Sequence, residues 1–450
     1  MIKPILDTEF VPAVLWNREF EKEATEPVVI ALCRDDKVVA RHELKIVAGD
    51  LGRSFNYIER FLKFLLWSVG GNTVKFDGPD ELLEKLKAHY TDTEIGRFDS
   101  EIIGVKIFDR LISIEKAVAA DIPEPRQEGA ALGRHLDGCR IGFDLGGSDR
   151  KCAALIDGEV VFSEEIRWDP YFEKDPQYHY DGIMHSLKLA AEHLPRVDAI
   201  GGSAAGDYID NEVKVASLFR GIPEELFEEK VRPIFKQVMT EWEGIPFEVI
   251  NDGEVTALAA AMSLDDNAVL GISMGTSLAA GYVNPEGNIT TSINELAFVP
   301  VDYRENGPVD EWSKDAGCGV QFFSQQGVAR LAPLAGIEFP AGTPFAEQLV
   351  EVQRLMTEGD DRARKIYETI GVCFGYTIAH FADHYDFRNL LILGRVTSGE
   401  GGQIIIEKAE EVLAAEFPAL AEKISMTTPD EQMKRHGQAV AAASLPVIGG

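Results

Sequence analysis

The segment IGFDLGGSDRKCAALIDGEVVF, residues 141–162, decides how the rest of the chain is read. An apolar run enters Asp144, a Gly146-Gly147-Ser148 turn follows, and a second apolar run leads through Asp157-Gly158 into a further strand-like run. This is the pattern of strand, tight turn, strand. Gly146 and Gly147 allow close approach of backbone to a ligand, and their N–H groups with the Ser148 hydroxyl can converge on phosphate oxygens. Asp144 is placed to hold Mg²⁺ through water, because Mg²⁺ keeps several waters and takes few carboxylates. The competing reading is an ordinary hairpin whose glycines serve the turn alone.

Three further segments decide between these readings. FEVINDGEVTALAAAMSL (247–264) is an apolar run ending in Asn251-Asp252-Gly253-Glu254 at the start of an alanine-rich helix. A carboxylate there can meet a substrate in a cleft, and Asp252 could take the proton of an attacking hydroxyl. The alternative is that Asp252 or Asn251 only caps the helix. AVLGISMGTSLAAGYVNPEGNI (268–289) is again strand, small-residue turn, strand, and Gly275, Thr276 and Ser277 could contact β- and γ-phosphates. FRNLLILGRVTSGEGGQIIIEKAEEVL (387–413) runs from a buried strand into Gly394 and a glycine-bearing turn before a helix, which would seat an adenosine. A plain strand-loop-helix unit fits that last segment equally.

Composition bounds what this chemistry serves. The chain has 450 residues, 45% hydrophobic and 26% charged, which implies a globular protein with two or three cores. Its 75 acidic against 44 basic residues give a net charge of -31, a field that repels nucleic acid and anionic membranes. The five cysteines (Cys33, Cys139, Cys152, Cys318, Cys373) are scattered and form no C-x-x-C pair, so they read as reduced thiols. No basic region followed by an apolar run and a cleavage site opens the chain, and the apolar stretch 61–69 is short and carries Lys63. We therefore expect no secretory signal, no membrane span and a cytoplasmic location.

The first 138 residues mix strand and helix signals. PVVIALCRDDKVVARHELKIV (27–47) predicts two strands around an Asp35-Asp36 turn. Phe55, Ile58, Phe61, Leu62, Leu65 and Leu66 recur at helical spacing until Gly70-Gly71, and 79–90 reads as a second amphipathic helix. IPEPRQEGAAL (122–132) is the best linker candidate, after which strand and helix signals alternate as in an α/β protein. The strand-turn-strand of 28–43 weakly echoes that of 141–165, and coincidence is the favoured explanation.

The order of the four segments resembles the phosphate, catalytic, second phosphate and adenosine motifs of the actin, hexokinase and heat-shock ATPase fold. The resemblance is closest to the ROK family of sugar kinases and sugar-sensing regulators and spans about residues 139–450. AIGGSAAGDYIDNEVKVASLFRGIP (199–223) resembles the family's glycine turn, strand pair and sugar-contacting loop; 368–394 its long helix and following strand; 436–448 its closing helix. By this resemblance the fold is an actin-like, ribonuclease H-like α/β fold of two lobes, 139–262 and 263–450, preceded by an α/β extension, 1–138, with the C-terminal helix able to return to the first lobe. Asp252 would be the catalytic base, with Asn251 and Glu295 as sugar ligands, ATP as phosphate donor and Mg²⁺ held by Asp144. A small sugar is the implied partner, and a homo-oligomer is compatible with it.

Departures from the family are also legible. Phe298 stands where the family has a histidine that binds sugar or zinc, and 314–332 keeps only Cys318 of the family's cysteine cluster, so no structural zinc is expected. Serine and alanine replace glycine in the second phosphate loop. Ser148 replaces a threonine, and Asp149 and Glu254 add negative charge that Arg150 or Lys151 would offset; Lys151 has the spacing of a basic residue in the hexokinase branch. The first 138 residues carry no helix-turn-helix pattern or basic surface, which disfavours a transcriptional role. These features leave two functions in view: an ATP-dependent sugar kinase, or a non-catalytic sugar or nucleotide sensor of the same fold.

Lesser candidates read blandly. His380 and His384, four apart on a predicted helix, are expected to be packed or surface histidines rather than metal ligands. Glu224, Glu225, Glu228 and Glu229 are expected on a solvated helix face. The aromatic stretch WDPYFEKDPQYHYDGI (168–183) is expected to be a long loop that either stacks on a sugar or covers the core.

Overall fold

In the computed structural model, residues 1–35, 37–127, 132–429 and 437–449 are described. Asp36 of the expected turn, residues 128–131 of the expected linker and His436 of the expected closing helix lie outside them. The chain divides into two compact units, one of Met1–Glu128, Ile272–Ala280 and Thr291–Thr427, the other of Gly129–Gly271, Gly281–Thr290 and Thr428–Gly450. The N-terminal residues fall in the first of these units, and the C-terminal segment falls in the second with 129–271.

In that first unit, β1 (Glu26–Arg34), β2 (Val38–Ile46), β3 (Thr73–Asp77), β4 (Ser113–Lys116) and β5 (Arg126–Gln127) form a sheet of order β4-β3-β1-β2-β5. The helix Leu51–Ser68 starts at Asp50, whose carboxylate accepts the Arg53 N–H. It stops where Gly70, at φ +80°, sends its N–H back to the Leu65 carbonyl, a left-handed exit open to glycine at little steric cost. Ile58, Leu62, Leu65 and Leu66 are buried, as their spacing predicts. The helix Asp80–Asp92 follows.

The second unit is built on β6 (Cys139–Leu145), β7 (Asp149–Ile156), β8 (Glu159–Arg167), β9 (Ala199–Ala204) and β12 (Phe247–Asn251), in the order β12-β9-β6-β7-β8; β10 (Asp207–Ile209) and β11 (Glu212–Val215) form a separate hairpin. β6, β7 and β8 are antiparallel neighbours, whereas β9 runs parallel to both β6 and β12. Three sequential antiparallel strands followed by two parallel ones is the ribonuclease H-like arrangement the resemblance implies. Asp157 and Gly158, both at positive φ, make the two-residue turn from β7 to β8, the backbone hand that suits twisted hairpin strands.

Two glycines explain how the closing helix seats. The helix Gln438–Ala443 lies so close to the sheet that a Cβ on Gly142 of β6 would meet the Ala439 carbonyl, and one on Gly201 of β9 the Ala442 carbonyl. A last sheet has the order β14-β13-β15-β16, from β13 (Val269–Met274), β14 (Leu278–Val283), β15 (Asn389–Leu393) and β16 (Ser425–Thr427). The long helix Asp361–Ala382 precedes β15, as expected.

Residues 168–183 depart from expectation: the chain is irregular only as far as Asp175, whose side chain accepts the Gln177 N–H and caps a helix from Pro176 to Ala191. Pro176 at the first helical position needs no N–H partner, which makes it a starter rather than a breaker. The four glutamates at 224–229 are exposed. His380 and His384 pack as core groups around Phe64, at ring-centroid separations of 5.1 and 3.7 Å. Among the described residues no helix is long and apolar enough to cross a membrane.

Candidate active site

In the second unit the parallel register sets Asp144 of β6 beside Ser203 of β9, and Ala204 beside Asn251 of β12, so the C-terminal ends of three strands share one edge. Asp144 is 6% exposed. Its Oδ1 accepts a 2.7 Å hydrogen bond from Ser203 Oγ, and Lys151 Nζ lies 4.0 Å from Oδ2. Burial raises its pKa, the Ser203 bond and the Lys151 charge oppose the rise, and Asp149 adds to it. One buried, oriented carboxylate is a donor that fits a Mg²⁺ held through water, since Mg²⁺ takes few carboxylates and keeps several waters. Among the described residues no cluster of three or more ligating side chains is found.

The turn after β6 is closed by the Gly146 N–H donating to the Asp149 carbonyl at 2.9 Å. Ser148 Oγ donates to Asp149 Oδ2 at 2.8 Å, and Lys151 Nζ is 3.8 Å from Asp149. Trp168 Nε1 donates to the Gly146 carbonyl at 2.7 Å. Where a Cβ on Gly147 would lie stands the Tyr171 hydroxyl, so a side chain there would have to push the Tyr171 ring aside. The Arg220 guanidinium sits 3.9 Å from the Tyr171 ring centroid, a cation–π contact. Trp168 and Tyr171 are therefore packed on the Gly146-Gly147 turn, while Phe172 between them and the next helix is 74% exposed.

Asp252 opens the helix Asp252–Leu264, but Asn251 caps it: Asn251 Oδ1 accepts the Gly253 N–H at 2.7 Å while Nδ2 donates to the Gly206 carbonyl at 2.8 Å. The cap is thus supplied by the neighbour, and Asp252 is half-buried with its carboxyl pushed up to about 6, first by burial and then by the charge of Asp144. Glu254, expected to add charge to the site, is 4% exposed and its carboxylate accepts the Tyr282 N–H at 3.2 Å, so part of its charge is spent on β14.

The remaining predicted residues lie in the first unit. Gly275, Thr276 and Ser277 form the β13–β14 turn, closed by Gly275 N–H donating to the Ser277 carbonyl at 2.9 Å, with Thr276 and Ser277 exposed. Gly394 ends β15 at φ +106°, and a Cβ there would strike the Met274 backbone. Glu295 is half-buried in a loop, its N–H donating to the Trp67 carbonyl at 2.8 Å. Phe298 packs on Trp67 and Phe98, at centroid distances of 4.3 and 5.7 Å, so an aromatic cluster takes the place of the family's histidine. Cys318 is buried with Ser313 Oγ 3.8 Å away.

Ser203, Trp168 and Tyr171 were not singled out as site residues from the sequence. The glycine turn 201–206 carried the signal for Ser203, and the aromatic density of 168–183 that for the other two.

No protein-family model matches the chain, and no curated relative does. Among solved structures, a ROK hexokinase from Thermus thermophilus aligns over 68% of this chain and 97% of its own, at 16% identity and a TM-score of 0.53. A ROK family transcriptional regulator, a homolog of the E. coli MLC protein, aligns over 69% and 79% at 19% identity and a TM-score of 0.51. At such identities the likeness is one of fold. The chain therefore has the fold of the ROK family, an actin-like α/β fold that one solved neighbour carries as a hexokinase and another as a transcriptional regulator.

Proposed function

We propose that the protein is an ATP-dependent sugar kinase that transfers the γ-phosphate to a hydroxyl of a hexose or related sugar. The observation that carries this reading is Asp252: a carboxylate at a strand end, next to the Asn251 cap and within the field of Asp144, with its pKa brought to about 6, a value suited to a general base near neutral pH. Asp252 takes the proton of the acceptor hydroxyl as its oxygen bonds to the γ-phosphorus and the bond to the ADP oxygen breaks; the proton then leaves to solvent. Asn251 and Glu295 are assigned to the sugar, Gly146, Gly147, Ser148, Lys151, Gly275, Thr276 and Ser277 to the phosphates, and Gly394 to the adenosine. Mg²⁺ held by Asp144 through water would supply positive charge against the phosphates. A cytoplasmic setting suits this reaction.

A second reading, a non-catalytic sugar or nucleotide sensor of the same fold, is favoured by one observation, the Tyr171 hydroxyl standing against Gly147 of the phosphate turn. The two are separated by ADP release with Mg·ATP across hexoses, amino sugars and polyols, alongside Asp252→Asn. Sugar-dependent turnover that the variant loses by about 10²–10⁴-fold is expected of the kinase. Saturable binding of sugar or ATP with no turnover would establish the sensor instead.

A further inference from the structure

The helix Leu51–Ser68 ends against residues 291–298 of its own unit. A helix end leaves its last carbonyls without intrahelical donors. Val69 and Gly70 return their N–H groups to the Leu65 carbonyl, whereas the Trp67 and Ser68 carbonyls accept the N–H groups of Glu295 and Asn294, at 2.8 and 2.9 Å. The N-terminal region holds the same loop at further points. From the end of β1, the Arg34 guanidinium donates to the Thr291 carbonyl at 2.8 Å and to the Thr291 hydroxyl. The Trp67 ring packs on Phe298, and a Cβ on Gly70 would come within 3.0 Å of the Ile293 side chain, which lies over the helix exit.

Within the loop the backbone is closely confined. Asn294 is 1% exposed and left-handed at φ +51°, a conformation asparagine adopts more readily than most residues. Its Oδ1 accepts the Tyr385 hydroxyl at 2.7 Å. Its carbonyl accepts the Leu296 N–H at 2.9 Å, and the Glu295 carbonyl accepts the Phe298 N–H at 3.3 Å. Glu295 is thus the half-buried member of a tight turn, between the buried Asn294 and Leu296. A turn fixed in this way sets the direction of the Glu295 side chain before any ligand arrives, which spares the ordering cost of binding.

We infer that the N-terminal α/β region serves acceptor recognition: it fixes the loop 291–298 so that Glu295 meets the sugar, with Arg34 and Tyr385 as positioning residues. This rests on the assignment of Glu295 to the sugar in the kinase reading and gives the N-terminal region a part in it. Arg34 and Tyr385 act through the loop rather than on the sugar.

The test is a double-mutant cycle on the full-length protein, with Arg34→Ala and Tyr385→Phe each alone and each combined with Glu295→Ala. The acceptor is the best used among hexoses, amino sugars and polyols, and calorimetric sugar Kd replaces KM wherever turnover is absent. Each variant is expected to raise KM or Kd for the sugar by about three- to tenfold, to leave the affinity for Mg·ATP unchanged, and to add nothing once Glu295 is replaced by alanine. A packing role alone would lower the amount of folded enzyme without separating the sugar from the nucleotide. An unchanged sugar KM in Arg34→Ala, or a rise undiminished in the Glu295→Ala background, overturns the inference and leaves the kinase reading intact. Sugar binding without turnover ends the kinase reading, and the same cycle read on Kd still decides the inference; no binding of any of the sugars overturns both. If Glu295→Ala binds no sugar measurably, the split between sugar and Mg·ATP affinities decides. Should Tyr385→Phe not fold, Arg34→Ala, which alters an exposed contact, decides alone.

Discussion

Ser203 Oγ donates a 2.7 Å hydrogen bond to Oδ1 of Asp144, across the parallel register of β9 and β6. Burial raises the Asp144 pKa, and this bond and the Lys151 charge oppose that rise.

Ser203→Ala removes that bond without adding volume to a fully buried position. A hydrogen bond to a charged group contributes about 1.5–3 kcal/mol, so the KM for Mg·ATP is expected to rise about tenfold or more. Steady-state kinetics at varied Mg²⁺ measures it. An unchanged KM would remove Asp144 from the nucleotide site.

The raised pKa of Asp252 gives a pH profile with a definite sign. A general base works deprotonated, so kcat/KM should be level above about pH 6 and fall about tenfold per pH unit below it. The acid limb should be missing from whatever activity Asp252→Asn retains. A profile flat to pH 5 would sink the assignment of the base.

His380 and His384 give stability a separate pH dependence. Burial pushes His380 down to about 4 and His384 well below the ordinary value of 6.5. Both stay neutral in the folded protein while the unfolded chain takes up protons, so stability is fully present above about pH 6.5 and is lost as pH falls toward 4. Each histidine loses about 1.4 kcal/mol per pH unit in that window. Melting temperature between pH 7.5 and 5 checks it, and His380→Leu should flatten the slope.

Lys63 is fully buried, 2.8 Å from Asp315 and 3.2 Å from Asp99, while Arg60 also pairs with Asp315 at 2.8 Å and Trp67 Nε1 donates to Asp99 at 2.9 Å. Burial pulls the Lys63 pKa down, and the two aspartates raise it by more. Lys63→Met leaves Asp99 buried without a cation and is expected to destabilise by about 3–5 kcal/mol. Breaking the exposed Lys22–Glu19 pair should change stability by less than about 1 kcal/mol. Denaturant midpoints compare the two.

The sequence by itself determined the local elements of the candidate site. The Gly146-Gly147 turn, Asp252 at a strand-helix junction, the Gly275 turn and the glycine exit of the helix Leu51–Ser68 depend on neighbours a few residues away, where alternation, helical spacing and backbone freedom act. The order of those turns was enough to suggest the fold. Only the tertiary structure decided which side chains meet. Ser203 reaches Asp144 from 59 residues away. Asn251 rather than Asp252 is the cap. Tyr171 fills the space over Gly147, and Phe298 joins Trp67 and Phe98 instead of lining a site. Partnerships of this kind are set by strand register and by burial, which sequence spacing does not encode. Desolvation, the largest influence on Asp144, Asp207 and Asp252, exists only once the chain has closed around them.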